Sequence, residues 1–257
     1  MDRNFDELAE RFERRVYGGL KGDVRLCVLW RDLLPIVQRL EKQGQPLNIL
    51  DIGGGLAQIS IALAERGHRI LYNDVSGAML EKARLAVSEA GVSQQFIWQQ
   101  CGYLELLDFD EKYDLVLCHA LLEWLEQPQQ VFSFVARKLE SYGFLSLCFY
   151  NPAAKIYRNL IRGNFDWLEN QDNYRSNTGS LTPNNPCELA QVRAWIHDQD
   201  FNIFSESGIR VFHDYVVEQR GGHGSPEAVL AMELAYSDKE PFKWLGRYLH
   251  ILSSAAV

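Results

Sequence analysis

The chain has 257 residues, with a hydrophobic share of 47% and a charged share of 23%, as in a folded globular protein with one sizeable core. Its formal net charge is −8, so a nucleic-acid partner would need a local basic patch to overcome an overall repulsion. No apolar run reaches the roughly 20 residues of a membrane span, and residues 1–7 contain no apolar signal core.

The chain has five cysteines, at positions 27, 101, 118, 148 and 187, and no two of them have C-x-x-C spacing. An odd number of scattered cysteines favours reduced thiols over a disulfide framework or a zinc site. We therefore predict a cytoplasmic protein without a bound metal.

Residues 1–45 predict two helices that lie over a sheet. Each helix has an apolar stripe at helical spacing, formed by Phe5, Leu8, Ala9 and Phe12 in the first and by Leu26, Val28, Leu29, Leu33, Leu34 and Val37 in the second. Residues 17–22 predict a flexible connection, and Arg25 opens the second helix. Periodicity alone favours a solvated helix charge for Arg25.

The most informative stretch is 47–55, an apolar run that ends in Asp51 and three glycines. Three glycines would end a helix after barely one turn, so a strand that runs into a tight turn fits better. Helical spacing resumes over 59–64. Such a turn lets a ligand approach the backbone and aims a helix N-terminus at it.

The next predicted strand, 69–74, ends in Asp74, roughly 20 residues beyond the glycines, a spacing that suits a carboxylate accepting ribose hydroxyls. A tight turn without a ligand is the alternative. The dinucleotide fingerprint G-x-G-x-x-G is absent, because the turn reads Gly53-Gly54-Gly55-Leu56-Ala57-Gln58. An acid two residues before the glycines resembles the opening of S-adenosylmethionine-dependent methyltransferases, which favours that cofactor over a nicotinamide.

From residue 47 strands alternate with helices, which predicts a parallel sheet with helices on both faces. Ser76 can cap a helix to about Ala90, a second helix covers 129–139, and three further strands cover 95–101, 113–118 and 143–150. Loops at the carboxyl ends of adjacent strands line the ligand crevice of such a sheet. Tyr103 and Leu104 therefore either flank an adenine or pack within their loop, and His119 is either a ligand or a structural histidine.

Residues 151–187 interrupt this alternation. They include a short helix with Lys155, Arg158 and Arg162 on one face, which predicts a substrate lid, with an ion-paired surface as the alternative. A helix over 188–200 and a strand over 201–207 follow. The stretch 208–215 mixes Arg210, His213, Asp214 and Tyr215 in a β-like alternation, and a helix over 225–236 and a strand over 247–252 end the pattern.

Seven stretches together resemble the tRNA 5-carboxymethoxyuridine methyltransferases of gamma-proteobacteria. They are residues 2–6, 50–55, 119–124, 149–151, 163–166, 208–215 and 246–250, and the likeness covers nearly the whole chain. It implies a class I Rossmann-like α/β fold, with a seven-stranded, mostly parallel sheet and a helical or loop insertion after strand five. It also implies a single domain of residues 1–257, with an N-terminal helical cover (1–45), a cofactor half (46–150), a lid (151–187) and a substrate-side half (188–257).

The resemblance further implies methyl transfer from S-adenosylmethionine to the carboxylate of 5-carboxymethoxyuridine at the wobble position, in the tRNA anticodon loop. The family's cofactor contacts would fall on Arg25, Gly53, Gly54, Asp74, Tyr103, Leu104 and His119. Two positions depart from the family, whose members tend to carry an acid and a glycine in place of Leu56 and Ala57. Relatives also tend to have a lysine-rich lid, whereas residues 170–179 contain only Arg175.

A carboxylate acceptor is ionised at neutral pH, with an unperturbed pKa of about 4, and needs no general base. We therefore expect no Ser-His-Asp or Cys-His array and expect alignment of the reacting atoms to dominate. Donors that orient the carboxylate are predicted to be Arg210, His213 and Tyr215. The candidates for RNA phosphate are Lys155, Arg158, Arg162, Arg175, Arg210 and Arg247, each of which is alternatively an ordinary surface charge.

Four other functions remain open on the sequence alone. The acidic net charge favours a small-molecule carboxyl or hydroxyl methyltransferase. The others are carboxy-S-adenosylmethionine synthesis, a non-enzymatic S-adenosylmethionine-binding protein and, last, nicotinamide oxidoreduction. We predict neither a DNA nor a membrane partner, and the oligomeric state stays undetermined.

Overall fold

The computed structural model describes residues 6, 18–170, 183, 185–216 and 225–255. Its strands are β1 Asn48–Ile52, β2 Arg69–Asn73, β3 Phe96–Gln99, β4 Tyr113–His119, β5 Leu139–Tyr150, β6 Phe201–Ile209 and β7 Tyr248–Ala255. Its helices are α1 Leu20–Glu41, α2 Gln58–Ala64, α3 Gly77–Glu89, α4 Gln130–Lys138, α5 Pro152–Ile161, α6 Phe165–Glu169, α7 Leu189–His197 and α8 Pro226–Tyr236.

The strands form one sheet in the order β3-β2-β1-β4-β5-β7-β6. The first five strands of that order pair in parallel, and β7 pairs antiparallel with both β5 and β6. The predicted seven-stranded, mostly parallel sheet is therefore confirmed. The strand order reverses between β1 and β4, which is where open α/β sheets form a ligand crevice.

Helices cover both faces of the sheet, as the alternating pattern predicted. On one face the buried residues of α1, α2 and α3 form a core with the sheet. On the other face α4 and α7 pack against β1, β4, β5 and β7. The central parallel strands β1 and β4 are almost entirely buried, as expected for strands that are covered on both sides.

Local sequence signals explain several element ends. The hydroxyl of Ser76 accepts a hydrogen bond from the backbone N–H of Met79 and caps α3, as predicted. Gly91, just beyond α3, has a φ of +73°, which suits a helix stop. Ser225 caps α8 in the same way as Ser76 caps α3.

Other boundaries differ from the prediction. The predicted connection 17–22 is too long, because α1 begins at Leu20 and Arg25 lies in its second turn rather than at its start. The fifth strand begins at Leu139 rather than Gly143, so α4 continues into β5 without a loop. The predicted final strand 247–252 runs instead from Tyr248 to Ala255.

The β-like alternation predicted for 208–215 is wrong beyond Ile209. Arg210 has a φ of +62°, and this left-handed conformation ends β6. The carboxylate of Glu233 then accepts the backbone N–H groups of Val211, Phe212 and His213 at 2.7, 3.2 and 2.7 Å. These bonds replace a strand ladder, and residues 213–215 form a 3₁₀ turn.

Some predicted features lie outside the described residues. They are the first apolar stripe (Phe5, Leu8, Ala9, Phe12), Arg175 and most of 171–184 in the proposed lid. The described part of the insertion consists of α5 and α6. Within the described ranges, no helix is both long and apolar enough to cross a membrane.

Candidate active site

The glycine turn after β1 leaves no room for a side chain at its centre. A Cβ on Gly54 would lie 2.4 Å from Cε2 of Tyr72 and 2.8 Å from Oδ2 of Asp51. Gly53 and Gly55 have φ values of +62° and +56°, which favour glycine. The hydroxyl of Tyr72 donates to the carbonyl oxygen of Gly55 at 2.6 Å and fixes the turn against β2. The backbone is therefore the surface that this turn offers to a ligand.

The departure at Leu56 and Ala57 has a structural consequence. Ala57 has a φ of +55°, a left-handed conformation that costs a non-glycine residue about 1–2 kcal/mol. The family's glycine at this position would avoid that cost. The turn nevertheless keeps its shape here, and α2 begins at the next residue, Gln58.

Asp51 is buried beneath the turn, 5% exposed. Its Oδ2 accepts a hydrogen bond from the hydroxyl of Ser60 at 2.6 Å. Burial raises the pKa of Asp51 to about 7, with a further contribution from the charge of Asp74, while the Ser60 bond opposes the shift. The crevice thus contains an acid whose charge changes near neutral pH.

Asp74, at the end of β2, is the predicted ribose-binding carboxylate and is 9% exposed. It accepts the backbone N–H of Gly55 on Oδ2 at 3.1 Å and that of Ser76 on Oδ1 at 2.9 Å. Burial raises its pKa, and these two bonds oppose the rise. Because each carboxylate oxygen has two lone pairs, both retain capacity for ribose hydroxyl donors. The carboxylate therefore links the glycine turn to the start of α3.

The predicted ligand His119 lies at the end of β4, where it lines a small crevice pocket with residues of the glycine turn and of two helices. The lining consists of Leu26, Leu29, Asp51, Gly54, Gln58, Ile59 and His119. Burial lowers the pKa of His119 well below its usual value, and the charges of His250 and Arg25 add to the effect. The imidazole is therefore neutral at neutral pH.

A buried chain of hydrogen bonds connects His119 to α1. Its Nε2 lies 2.8 Å from Oγ of Ser146, which lies 2.9 Å from Nε2 of His250. The Nδ1 of His250 lies 2.8 Å from Oδ2 of Asp32, and Arg31 donates to Oδ1 of the same carboxylate. In one arrangement of the protons, Asp32 accepts Nδ1–H of His250, and Ser146 donates to Nε2 of His250. The Ser146 oxygen then accepts Nε2–H of His119, which leaves Nδ1 of His119 as an acceptor.

Sequence analysis predicted no catalytic Ser-His-Asp array, and one buried set of residues resembles such an array in geometry alone. Ser146, His250 and Asp32 have the hydrogen-bonding pattern of such a triad. However, Ser146 is 0% exposed and its hydroxyl faces two histidines. A serine with no access to substrate cannot act as a nucleophile, so the array orients His119 instead.

Arg25 is 2% exposed, so the solvated helix charge favoured by periodicity is wrong. Its guanidinium stacks on the ring of Tyr248 at 4.6 Å from the centroid. It is close enough to His119 and Glu123 to affect the pKa of both. A buried cation beside the crevice suits a ligand that carries a carboxylate.

Glu123 was not identified from the sequence, although it lies in the 119–124 stretch. It is 1% exposed, and burial raises its pKa to about 7 while its own backbone N–H and Arg25 oppose the shift. Its Oε2 has no hydrogen-bond partner among the described residues. Arg25 and Glu123 are thus both buried, and close enough for the charge of Arg25 to oppose the rise in the pKa of Glu123.

The residues predicted to flank an adenine differ in placement. The ring of Tyr103 is 8% exposed and packs edge-on against Phe134 at 5.1 Å, so the loop-packing alternative explains the ring. Leu104 is 42% exposed. An adenine contact through Leu104 or through the backbone of this turn stays a prediction.

A cluster of cations surrounds Tyr150, at the end of β5. Arg247 stacks on the Tyr150 ring at 4.8 Å, and Arg158 of α5 is close enough for its charge to affect the Tyr150 pKa, which burial raises to about 12. Arg158 has its own pKa lowered by burial and by the charges of Arg162 and Arg247. The Tyr150 hydroxyl, Arg158 Nε and Arg247 Nη1 are buried without hydrogen-bond partners among the described residues. Like charges and unpaired donors in one place favour an anionic ligand.

The three predicted orienting residues follow β6, and each is held by neighbouring groups. Arg210 is 9% exposed, stacks on Tyr248 at 5.6 Å and lies 3.6 Å from Oδ2 of Asp214. The Tyr215 hydroxyl donates to the carbonyl oxygen of Leu245 at 2.6 Å. His213 starts the 3₁₀ turn that Glu233 holds. Arg210 stacks on the same Tyr248 ring as Arg25, which connects it to the crevice.

The remaining predicted phosphate contacts extend along α5. Lys155 stacks over Trp167 of α6 at 4.5 Å, and Arg162 follows the last residue of the helix. In the described part of the chain, no group of three His, Cys, Asp or Glu side chains is positioned to hold a metal ion.

Comparison with known proteins relates this site to methyl transfer. The family model described as "Methyltransferase domain" matches residues 50–147, which contain the glycine turn, Asp74 and His119. The tRNA 5-carboxymethoxyuridine methyltransferase of Escherichia coli strain K12 is 37% identical over 251 residues, covering 97% of this chain and 95% of the relative. A ubiquinone biosynthesis O-methyltransferase of Coxiella burnetii is 28% identical over 67% of this chain and 66% of its own.

Solved structures share the fold. The magnesium protoporphyrin IX methyltransferase of Synechocystis with bound SAH superposes with a TM-score of 0.60 at 16% identity, over 98% of this chain and 96% of its own. A structure described as a sarcosine dimethylglycine methyltransferase of Galdieria sulphuraria gives 0.59 at 15% identity, over 96% and 98%. At these identities the likeness concerns the fold alone.

Proposed function

The chain belongs to the tRNA 5-carboxymethoxyuridine methyltransferase family, and from this membership we propose that it methylates the carboxylate of 5-carboxymethoxyuridine at the tRNA wobble position. The product is the methyl ester. The acceptor would be presented by the single-stranded anticodon loop, and a tRNA acceptor implies a cytoplasmic protein.

The residues of the crevice fit S-adenosylmethionine as the cofactor. When bound, it supplies an electrophilic methyl group on a sulfonium. The backbone at Gly53 and Gly54 would lie against the ligand, and Asp74 would accept the ribose hydroxyls. Arg25 would hold the carboxylate of the methionine portion, and Nδ1 of His119 would accept from its ammonium group.

The observation that carries the acceptor assignment is the set of buried donors at the end of β5. Tyr150, Arg158 and Arg247 present donor atoms without partners, and the chain gathers them despite a net charge of −8. Tyr150 of β5 is paired with Tyr248 of β7. Two positions earlier on β5, Cys148 is paired with His119 of β4 on one side and with His250 of β7 on the other. The donors thus adjoin the cofactor crevice, where a carboxylate would meet the methyl group.

The proposed chemistry requires little from acid–base groups. A carboxylate is already ionised at neutral pH, so the protein has to align its oxygen with the methyl carbon and the leaving sulfur. Cations that hold the carboxylate too tightly would stabilise the ground state, because its charge disappears as the ester forms. We propose that Tyr150, Arg158 and Arg247 orient it together with Arg210, and that His213 and Tyr215 support this position.

The described part of the insertion, α5 and α6, would form one side of the RNA-binding surface. Its cations Lys155 and Arg158 face the cluster with Arg247, and each has its pKa lowered by burial and by neighbouring positive charge. A phosphate close to these groups would relieve that repulsion. We retain residues 151–187 as a proposed lid on this basis.

Transfer of tritium from S-adenosylmethionine separates this function from the small-molecule alternative. Bulk tRNA from a strain that lacks the methyl ester should accept label, and tRNA digested beforehand with ribonuclease should accept far less. Equal labelling of both preparations would contradict a requirement for the anticodon loop. Label in neither, with label in small carboxylic acids, would contradict a tRNA acceptor.

A further inference from the structure

A second cavity, of about 420 Å³, opens between α5, the turn after β6, α8 and the turn before β7. Its lining is apolar and largely aromatic, with Tyr157, Val211, Phe212, Tyr215, Met232, Tyr236, Phe242 and Leu245. None of these residues lines the cofactor pocket beside His119. The volume lies within the range of about 300–1,000 Å³ that is usual for small-ligand sites.

The aromatic walls are held in place by neighbouring groups. Tyr157 and Tyr215 meet edge to face at 5.2 Å, and Tyr236 and Phe242 do so at 5.1 Å. The hydroxyl of Tyr215 donates to the carbonyl oxygen of Leu245, so its ring rather than its proton is available to a ligand. The cavity is thus preformed by rings with fixed orientations.

These rings remain accessible to solvent. The exposed fractions are 40% for Tyr157, 40% for Tyr236 and 41% for Phe242, and Met232 is 48% exposed. Grouped apolar side chains at the surface mark a binding site, because a ligand that covers them removes apolar area from water.

Positive charge lies close to the cavity. Arg158 is the residue after Tyr157 on α5, and it belongs to the neighbouring cluster at Tyr150, where its buried Nε has no hydrogen-bond partner among the described residues. The ammonium group of Lys239 lies 5.1 Å from the ring centroid of Tyr236. Rings that can stack, with a cation against one of them and the Tyr150 cluster beside the same helix, match a flat apolar group attached to phosphates, which is the pattern of single-stranded nucleic-acid sites. An apolar peptide would gain nothing from the cations.

We propose that this cavity binds the base of a nucleotide that flanks the modified uridine in the anticodon loop. The proposal rests on the proposed function, since the neighbouring donors Arg158, Arg247 and Tyr150 would hold the acceptor carboxylate. One nucleotide would place its charged group on the cluster, while the next would place its base between the rings. Affinity for tRNA would then come partly from stacking that has no direct role in the chemistry.

Two variants and two substrates test the proposal. Tyr157→Ala and Phe242→Ala should each raise the KM for an anticodon stem-loop carrying 5-carboxymethoxyuridine by about 5- to 150-fold, the usual effect of losing one stacked base. Neither should change kcat/KM for the free nucleoside 5-carboxymethoxyuridine, which has no flanking base. Tyr142→Ala is the matched control, because Tyr142 is 66% exposed on the amino-terminal half of β5, far from the cavity.

Stem-loops in which one flanking base is replaced by an abasic residue identify the partner directly. The unaltered protein should lose affinity on one of the two abasic stem-loops, and Tyr157→Ala should show no further loss on it. If abasic substitution on either side leaves the KM of the unaltered protein unchanged, the proposal is overturned. If Tyr157→Ala lowered kcat/KM equally for the nucleoside and for the stem-loop, Tyr157 would have a structural role, and the proposal would also be overturned.

A different occupant would be recognised in the same experiments. If the cavity receives an apolar peptide or a second copy of the chain, Tyr157→Ala should change the sedimentation of the protein while the KM for the stem-loop stays constant. That result would overturn base binding while the methyl transfer itself persists. Failure of the proposed function would look different, because the unaltered protein would then methylate neither the stem-loop nor the nucleoside.

Discussion

The Nε2 atom of His119 lies 2.8 Å from the Oγ atom of Ser146, so the histidine facing the cofactor crevice is bound to a serine buried within the sheet. Ser146 is in turn bonded to His250, which is bonded to Asp32 of α1. Each hydrogen bond couples the proton position of one member to that of the next, and the chain ends on Arg31. The structure therefore orients the crevice histidine from behind, through residues that cannot contact a ligand.

Replacing Ser146 by alanine should weaken both the fold and the crevice. The variant leaves histidine nitrogens buried without a partner, which should lower the free energy of unfolding by about 1–3 kcal/mol. The affinity for S-adenosylmethionine should also fall, because the tautomer of His119 is no longer fixed. Denaturant unfolding and calorimetry measure the two effects.

Ser253→Ala is the matched control for this variant. Ser253 is also a fully buried serine in the sheet, but its hydroxyl has no hydrogen-bond partner among the described residues. Its replacement should leave cofactor affinity unchanged. Similar losses of affinity in both variants would show that any buried serine matters and would contradict the orienting chain.

Gly54→Ala should disrupt the glycine turn. The added methyl group would collide with the ring of Tyr72 and with the Asp51 carboxylate, both of which are buried. We expect a loss of about 1–3 kcal/mol in stability and a cofactor affinity at least about ten-fold lower. Thermal unfolding and calorimetry provide the measurements.

Gly102→Ala serves for comparison, because Gly102 has an ordinary φ of −63° and a Cβ there would meet only the side-chain end of Glu105, at 3.2 Å. That variant should lose less than about 1 kcal/mol. If Gly54→Ala bound the cofactor as well as Gly102→Ala does, the ligand would not lie against this turn.

Much of this turn could be predicted from the sequence, because its signals are local. The apolar run, the three glycines and the acid at Asp74 lie close together in the chain, and so does the Ser76 cap. The chain of hydrogen bonds could not be predicted, since Ser146 and His250 are 104 residues apart and His250 and Asp32 are 218 apart. No spacing rule connects residues that only the sheet order brings together.

Two further errors have specific physical causes. Periodicity alone favours a solvated charge for Arg25, because it does not reveal that Tyr248 lies against that face of α1. The stretch after Ile209 alternates like a strand, but Arg210 adopts a left-handed φ that sequence patterns do not indicate. Sequence analysis places Tyr150 at the end of a strand and within the 149–151 stretch of the resemblance but assigns it no binding role, although Arg247 stacks on its ring.

The affinity for S-adenosylmethionine should depend on pH through Asp51. Burial raises the pKa of Asp51 in the free protein to about 7. The folded state therefore favours the protonated acid: the stability that this form contributes is fully present below the ordinary pKa of about 4 and is lost as the pH rises through about 7. A cationic ligand favours the ionised acid. The dissociation constant should therefore decrease as pH rises from 6 to 8, with release of protons on binding.

Calorimetry in two buffers of different ionisation enthalpy measures that proton release directly. In Asp51→Asn the pH dependence of the affinity and the proton release should both become smaller. They need not vanish, because Glu123, whose pKa is also raised to about 7, still titrates in that variant. An unchanged proton count in Asp51→Asn would show that Asp51 does not ionise when the ligand binds.

Arg158→Gln and Arg247→Gln should impair the acceptor reaction specifically. Each removes a charged donor from the cluster at Tyr150, and such bonds contribute about 1.5–3 kcal/mol. We expect kcat/KM for tRNA to fall by at least about ten-fold, with cofactor affinity within about two-fold of the unaltered protein. Initial rates of tritium transfer and a cofactor titration test both statements.

Arg69→Gln is the control, because Arg69 is exposed at the amino end of β2, on the opposite edge of the sheet from the crevice. It should leave both quantities unchanged. A parallel decrease in all three variants would indicate a general electrostatic effect rather than a carboxylate site.

The identity of the acceptor atom is the central claim, and mass spectrometry of tRNA nucleosides measures it most directly. Purified protein, S-adenosylmethionine and tRNA from a strain lacking the corresponding gene are incubated, and the nucleosides are compared before and after mild alkali. The account predicts conversion of 5-carboxymethoxyuridine into a singly methylated nucleoside that alkali returns to the free acid. An alkali-stable methylated nucleoside, or unchanged 5-carboxymethoxyuridine, would contradict it.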